Sequence, residues 1–282
     1  MEDEASSVVV MTTVADVIKV LETRFPLAYA EDWDVNGLAV GDPTAPVTRI
    51  LFAVDPTLAV AQEALEVGAD LLVTHHPLML RGVTSVASDT SKGAVIQRLI
   101  TGGCALYNAH TNSDVAHGGV ADTLAQVLGV VDAVPLVPVA ADATVGAGRI
   151  GRLDASMTLR AFADHVADVL PQTAHGVRIA GDLDADVSVV AVMGGSGDSF
   201  LDAVHAARAD VYVTADLRHH PASDARELAA LSNGKPFLVD VAHFASEWSW
   251  LAAAARGVAD ATGTDTIVST LNTDPWTARA GA

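Results

Sequence analysis

One cysteine, Cys104, is all that 282 residues contain. A lone thiol cannot form an internal disulfide, so nothing covalent staples this fold. Basic side chains are also scarce. Sixteen Lys and Arg stand against 35 Asp and Glu, a formal charge of −19, and the only lysines are Lys19, Lys92 and Lys235. Binding along nucleic-acid phosphates needs clustered Lys and Arg, so no nucleic-acid partner is expected, although a small local anion site remains open. No apolar run approaches the roughly 18–20 residues of a membrane span. The opening MEDEASSVVVMTT is acidic and lacks the basic region of a signal peptide. A soluble, cytoplasmic protein is expected.

Hydrophobic residues make up 50% of the chain, enough for a sizeable core in one large domain or two smaller ones. Self-similarity favours two. TVADVIKVLETRFP (13–26) resembles TLRAFADHVADVLP (158–171), each an amphipathic helix pattern opened by Thr and closed by Pro. RILFAVDPTLAVAQEALEVGADLLVTHH (49–76) resembles VVAVMGGSGDSFLDAVHAARADVYVTAD (189–216), and both alternate as strand, helix and strand. GGCALYNAHTNSD (102–114) resembles GKPFLVDVAHFASE (234–247), each a strand followed by His and, four residues later, an acid. The copies lie about 145, 140 and 133 residues apart, in the same order.

The expected fold class is therefore α/β, a duplicated unit forming two layered α/β units. Parallel βαβ strands should dominate, with antiparallel edges possible. The expected units are 1–133 and 134–282. The Pro- and Gly-containing stretch 131–154 reads as their junction, and 265–276 as a last strand returning to the first unit. No low-complexity linker separates them, which predicts two units packed about a shared cleft.

Chemistry collects at predicted strand ends, where α/β sheets build their sites. LLVTHHP ends in His75 and His76. Neighbouring strand residues point to opposite faces, so two adjacent imidazoles converge only where the strand stops. His243 and Glu247 share one face of a helix that starts near His243. His110 and Asp114 occupy the equivalent place in the first unit. Each pattern alone has an ordinary structural explanation: a capped turn, a chance spacing or a polar loop. Together they offer more nitrogen and oxygen donors than one tetrahedral zinc needs. Two ions about 3.5–4 Å apart suit them, drawn from Zn, Mn, Fe or Co.

Several segments now identify a resemblance. WDVNGLAVGDP (33–43), FAVDPTLAVAQEALEVGADLLVTHHPL (52–78), ALYNAHTNSD (105–114), VGAGRIGRL (145–153), MGGSGDSF (193–200), YVTADLRHH (212–220), DVAHFASEW (240–248) and NTDPW (272–276) resemble the signature segments of the NIF3-like dinuclear metal centre family, also labelled type 2 GTP cyclohydrolase I. The resemblance implies His75, His76, Asp114, His243 and Glu247 as metal ligands, with Asp114 bridging. It also implies a toroidal homo-hexamer whose metal sites face an interior cavity, and no domain inserted between the halves. Two motifs depart from the family pattern. W-D-N-x-G-L is here Trp33-Asp34-Val35-Asn36-Gly37-Leu38, and T-G-D-x-x-Y-H is Thr214-Ala215-Asp216-Leu217-Arg218-His219-His220. Neither removes a ligand, but both bear on substrate contacts.

Other residues carry weaker expectations. Gly194, Gly195, Ser196 and Gly197 form a Gly-rich turn. Either it cradles a phosphate at a helix start or it is simply a tight turn; no Gly-Lys-Ser/Thr follows, so it is not a P-loop. His110 and His220 are candidates for proton transfer or substrate contact. Asp55 and Asp216 end predicted strands and can orient ligand histidines. Trp33 and Asp34 border the cleft. Cys104 is expected to be buried, and His117, His165, His175 and His205 to lie on the surface.

The functional expectation is a binuclear-metal-dependent hydrolase for a nucleotide-like substrate, with GTP ring opening the family label. Two divalent ions would lower the pKa of a bridging water and supply hydroxide. The alternative is a non-catalytic, metal-binding hexameric scaffold or regulator.

Overall fold

The computed structural model describes residues 11–139 and 142–280. The acidic opening stretch 1–10, on which the signal-peptide expectation rests, lies outside them. The first half runs α1 (Val14–Arg24), β1 (Gly37–Val40), β2 (Arg49–Ala53), α2 (Leu58–Glu66), β3 (Leu71–Thr74), α3 (Ser91–Gly102), β4 (Ala105–Asn108), α4 (Thr111–Val115) and α5 (Val120–Val127). Then come β5 (Val130–Val139), β6 (Asp142–Thr158), α6 (Leu159–Val169), β7 (Arg178–Ala180), β8 (Asp186–Ser196), α7 (Leu201–Ala206), β9 (Val211–Ala215) and α8 (His219–Ala230). The chain closes with β10 (Phe237–Val241), α9 (His243–Trp248), α10 (Trp250–Thr262) and β11 (Asp265–Val268).

The internal likeness in the sequence reappears as matched elements. Thr13 caps α1 in a full capping box, accepting from the Asp16 N–H while its own N–H donates to the Asp16 carboxylate. Thr158 caps α6 with a bond from the Ala161 N–H. The parallel run β2–β3–β4 answers the parallel run β8–β9–β10. Each run carries an antiparallel strand on its last member, β1 on β4 and β7 on β10.

Two sheets result, in the orders β1-β4-β3-β2-β11 and β5-β6-β8-β9-β10-β7. The parallel strands are buried on both faces, which is why LLVT and VYVTA are almost unbroken apolar runs. Their side chains alternate between layers. Ile50, Phe52, Leu71 and Val73 of one sheet share a central core with Val190, Val192, Val211 and Val213 of the other. Leu51 and Leu72 face outward to α2 and α3, while Ala191 and Tyr212 face outward to α7 and α8. Trp250 of α10 is fully buried in the central layer, edge-on to Phe25 with ring centroids 5.5 Å apart.

β11 pairs in parallel with β2, so the C-terminal strand lies in the first sheet. The described residues of 131–154, read in the sequence as the junction, are extended and form most of the antiparallel pair β5–β6. Its Pro135 and Pro138 read as turn residues, yet β5 is the outer strand of its sheet, where a missing N–H costs no ladder bond. No helix among the described residues is long and apolar enough to cross a membrane.

Candidate metal centre

The carboxyl ends of four parallel strands converge on one place. β3 delivers His75 and His76, β4 delivers His110, β9 delivers Asp216 and β10 delivers His243. β3 keeps its pairing briefly past its end, with the His75 and His76 N–H groups donating to the Ala53 and Val54 carbonyls. The two His-x-x-x-acid patterns open equivalent helices: His110 is the N-cap of α4, which holds Asp114, and His243 is the first residue of α9, which holds Glu247.

Four imidazoles are held alike. Nδ1 of His75 lies 3.0 Å from the Ala109 carbonyl, Nδ1 of His76 2.7 Å from Asp55, Nδ1 of His110 2.8 Å from Asp34 and Nδ1 of His243 2.7 Å from Asp216. A carbonyl and a carboxylate only accept, so each Nδ1 carries the hydrogen. In the neutral ring every Nε2 is then left with its lone pair, the form in which an imidazole binds a metal. Asp55 and Asp216 thus meet the expectation drawn from their strand-end positions. Asp34 does more than border the cleft. It also accepts from the Thr111 N–H and hydroxyl and from Asn36. Burial opposes its ionisation, but those bonds hold its carboxyl well below the usual carboxylate range.

The lone pairs point at one another and at a buried carboxylate. Nε2 of His76 and Nε2 of His243 are 3.2 Å apart. Glu247 Oε1 is 3.0 Å from Nε2 of His243 and 3.4 Å from Nε2 of His75, and Oε2 is 3.2 Å from Nε2 of His76. Asp114 Oδ1 is 3.6 Å from Nε2 of His75. His75 Nε2, Asp114 Oδ1 and Glu247 Oε2 are buried yet have no well-aligned hydrogen-bond partner. Acceptors crowded together without donors call for a cation. Two sets of side chains offer donor atoms within 4.8 Å of one another, His75 with His76 and His110, and His76 with His243 and Glu247. Nitrogen and oxygen donors without sulfur fit a borderline or hard divalent ion.

Titration reflects the same crowding. Burial would lower the pKa of His76, but Glu247 and Asp55 outweigh it and raise it to about 10. For His243, burial is likewise overcome by Glu247 and Asp216, and its pKa rises to about 11. Burial, reinforced by the Glu247 charge, raises Asp114 to about 7. Burial also penalises ionised Glu247, yet His76, His243 and His75 hold it well below its ordinary value.

The cluster opens onto a cavity of about 450 Å³ bordered by Trp33, His110, Asp114, Gly195, His243 and Glu247, among others. The Gly-rich segment lies on this wall. Gly194, Gly195 and Ser196 end β8, and Gly197 is the N-cap of the 3₁₀ turn Asp198–Phe200, which runs on into α7. The Gly195 N–H already donates to the Ser246 hydroxyl, and the Gly197 N–H to the Ala215 carbonyl. What Gly195 supplies is room. Its φ is +65°, and a Cβ there would stand 2.6 Å from Glu247 Oε1.

His220 is not brought to the cluster. It is exposed at the start of α8, its ring against that of His219, and it does not border the cavity. His175, expected on the surface, is half-buried on the Asp240 carboxylate beside Arg178. The Ala109 carbonyl and the Ser246 hydroxyl carry no signal in the sequence, because any residue offers the first and any serine the second.

Comparison with known proteins gives the family and the fold. A model of the Duf34/NIF3 (NGG1p interacting factor 3) family matches residues 12–275. A Streptomyces coelicolor protein named GTP cyclohydrolase 1 type 2 homolog is 47% identical over 279 residues, covering 96% of each chain. A crystal structure of a Bacillus cereus protein related to NIF3 superposes with a TM-score of 0.87 at 25% identity, over 95% of this chain and 99% of that one. A Staphylococcus aureus crystal structure gives 0.85 at 28% identity, over 94% and 99%.

Proposed function

The chain belongs to the Duf34/NIF3 family, and from that premise we propose that it is a binuclear-metal-dependent hydrolase acting on a nucleotide-like, ring-bearing substrate. The observation that carries this reading is the set of buried, donorless atoms His75 Nε2, Asp114 Oδ1 and Glu247 Oε2, gathered where four imidazole lone pairs meet. His75, His76, Asp114, His243 and Glu247 hold two divalent ions. His110 joins them as a ligand, a role its grouping with His75 and His76 supports better than proton transfer. Divalent ions in this setting supply Lewis acidity and a nucleophile from water at neutral pH.

The chain's own part is positioning. Asp55, Asp34, Asp216 and the Ala109 carbonyl fix the tautomer and aim of each imidazole. The cavity beside the cluster gives substrate access, which a purely structural metal site does not require. That access favours an enzyme over a scaffold. A cytoplasmic homo-hexamer belongs to the same proposal, supported by the family resemblance.

The test is elemental analysis of purified wild type and of His75→Ala with Glu247→Ala, alongside assays of nucleoside, GTP and phosphoester hydrolysis. About two metals per wild-type chain are expected, lost together with activity in the double variant. Two metals with no hydrolysis would turn the reading toward the scaffold. A wild-type chain that takes up no Zn, Mn or Fe would sink it.

A further inference from the structure

The same cavity says something about what it admits. No lysine or arginine is among the described residues that border it. Arg218, exposed at the start of α8, donates to Asp198. Arg149 is buried and occupied by Asp122 and the Gly146 and Gly148 carbonyls. The N–H groups of Gly195 and Gly197 are already taken. Meanwhile Glu31 stands on the border, exposed. Even with two divalent ions in place, four positive charges face five carboxylates: Asp34, Asp55, Asp114, Asp216 and Glu247. A triphosphate entering here meets no net positive field.

An aromatic surface is offered instead. Trp33 is 59% exposed although it borders the cavity. Its indole meets the His110 ring edge-on, with centroids 5.9 Å apart and planes at 79°. The loop that carries it is tied down. Asp34 binds His110, Thr111 and Asn36, the Asp34 N–H donates to the Glu31 carbonyl, and the Glu31 N–H donates to the Thr111 hydroxyl. A large aromatic face on an anchored loop, at the mouth of a cavity, is a stacking platform for a planar ring.

We propose that Trp33 is a specificity-determining residue that stacks an uncharged planar heterocycle, a nucleobase or nucleoside, at the metal cluster, and that the acidic lining, without lysine or arginine among the described residues, discriminates against nucleoside triphosphates. The proposal rests on the reading of the cluster as the substrate site and narrows its substrate class.

Calorimetric titration of manganese-loaded protein with guanosine, adenosine and GTP tests it, with metal content read in parallel. At least one nucleoside should bind about ten-fold or more tighter than GTP at low salt, and added salt should narrow the gap as repulsion is screened. Trp33→Ala should weaken nucleoside binding about ten-fold or more, Trp33→Phe should largely retain it, and both should keep wild-type metal content. Glu31→Lys should strengthen GTP binding without changing nucleoside binding. GTP binding as tight as a nucleoside, no nucleoside binding at all, or unchanged binding in Trp33→Ala would each overturn the proposal. A wild-type chain that selects nucleosides yet holds no metal would instead overturn the hydrolase and leave the ring selectivity standing.

Discussion

His76 and His243 face each other Nε2 to Nε2 at 3.2 Å, although 167 residues separate them in the chain. Each donates its Nδ1 hydrogen to an aspartate, so two lone pairs meet. Only a proton or a metal ion between or beside them relieves that encounter. The duplicated halves of the chain are joined chemically at this point.

In metal-free protein the relief is a proton, and this sets a pH dependence. The folded-state pKa values of His76 and His243 are raised, to about 10 and about 11. Stability from a raised histidine is fully present below the unfolded value of about 6.5 and lost as pH rises through the folded value. Metal-free protein should therefore melt at progressively lower temperature as pH is raised from about 7 to about 11. Metal-loaded protein should show a shallower fall. A metal-free melting temperature that is flat or rising across that window would contradict the geometry.

Metal should stabilise the fold by an amount that grows with the logarithm of free ion over its Kd. Free ion at about 1,000 times its Kd should add about 4 kcal/mol to unfolding. His75→Ala with Glu247→Ala should show no such gain in a thermal melt series against metal concentration.

The aspartates behind the imidazoles should matter without touching metal. Asp216→Ala leaves His243 in place but frees its Nδ1. Metal affinity, measured against a competing chelator, should fall about 10- to 100-fold. His220→Ala, exposed and away from the cavity, should keep wild-type affinity and alter stability by no more than about 0.5 kcal/mol.

Gly195→Ala should damage stability and metal binding together. Its φ of +65° disfavours any side chain, and the new Cβ would press on Glu247 Oε1 and, at 3.2 Å, on His243 Nε2. A cost of about 1–3 kcal/mol in denaturant unfolding is expected, with reduced metal content. Normal metal content would mean that Glu247 can shift without losing the ion.

Trp250→Ala tests the tie between core and site. Its ring is fully buried, 5.6 Å from the His75 ring and 5.5 Å from Phe25. A loss of about 3–5 kcal/mol is expected in denaturant unfolding.

Much of this molecule was legible because it depends on local pattern. The threonine caps, the apolar strand runs and the His-x-x-x-acid spacing are short-range signals, and the second copy repeats them. Asp55 and Asp216 were accessible by the same logic, since a strand end dictates where its last side chains go. The strand pair β5–β6 was not, because proline on an outer strand looks the same as proline in a turn. Nor was the bond that occupies the Gly195 N–H, since the Ser246 hydroxyl that accepts it lies 51 residues away.

The sequence by itself determined the α/β class, the duplication and the residue types available to bind a metal, because these follow from periodicity and composition. Only the tertiary structure decided that His76 meets His243, that His110 stands with His75 and His76 while His220 does not, and that Trp33 borders a cavity with no lysine or arginine among its described lining residues. The first spans strand ends of separate sheets, whereas His75, His76 and His110 end neighbouring strands of one sheet and Trp33 lies on the loop before β1. These relations are set by strand order and by how the two halves pack about the shared core, which no local stretch encodes.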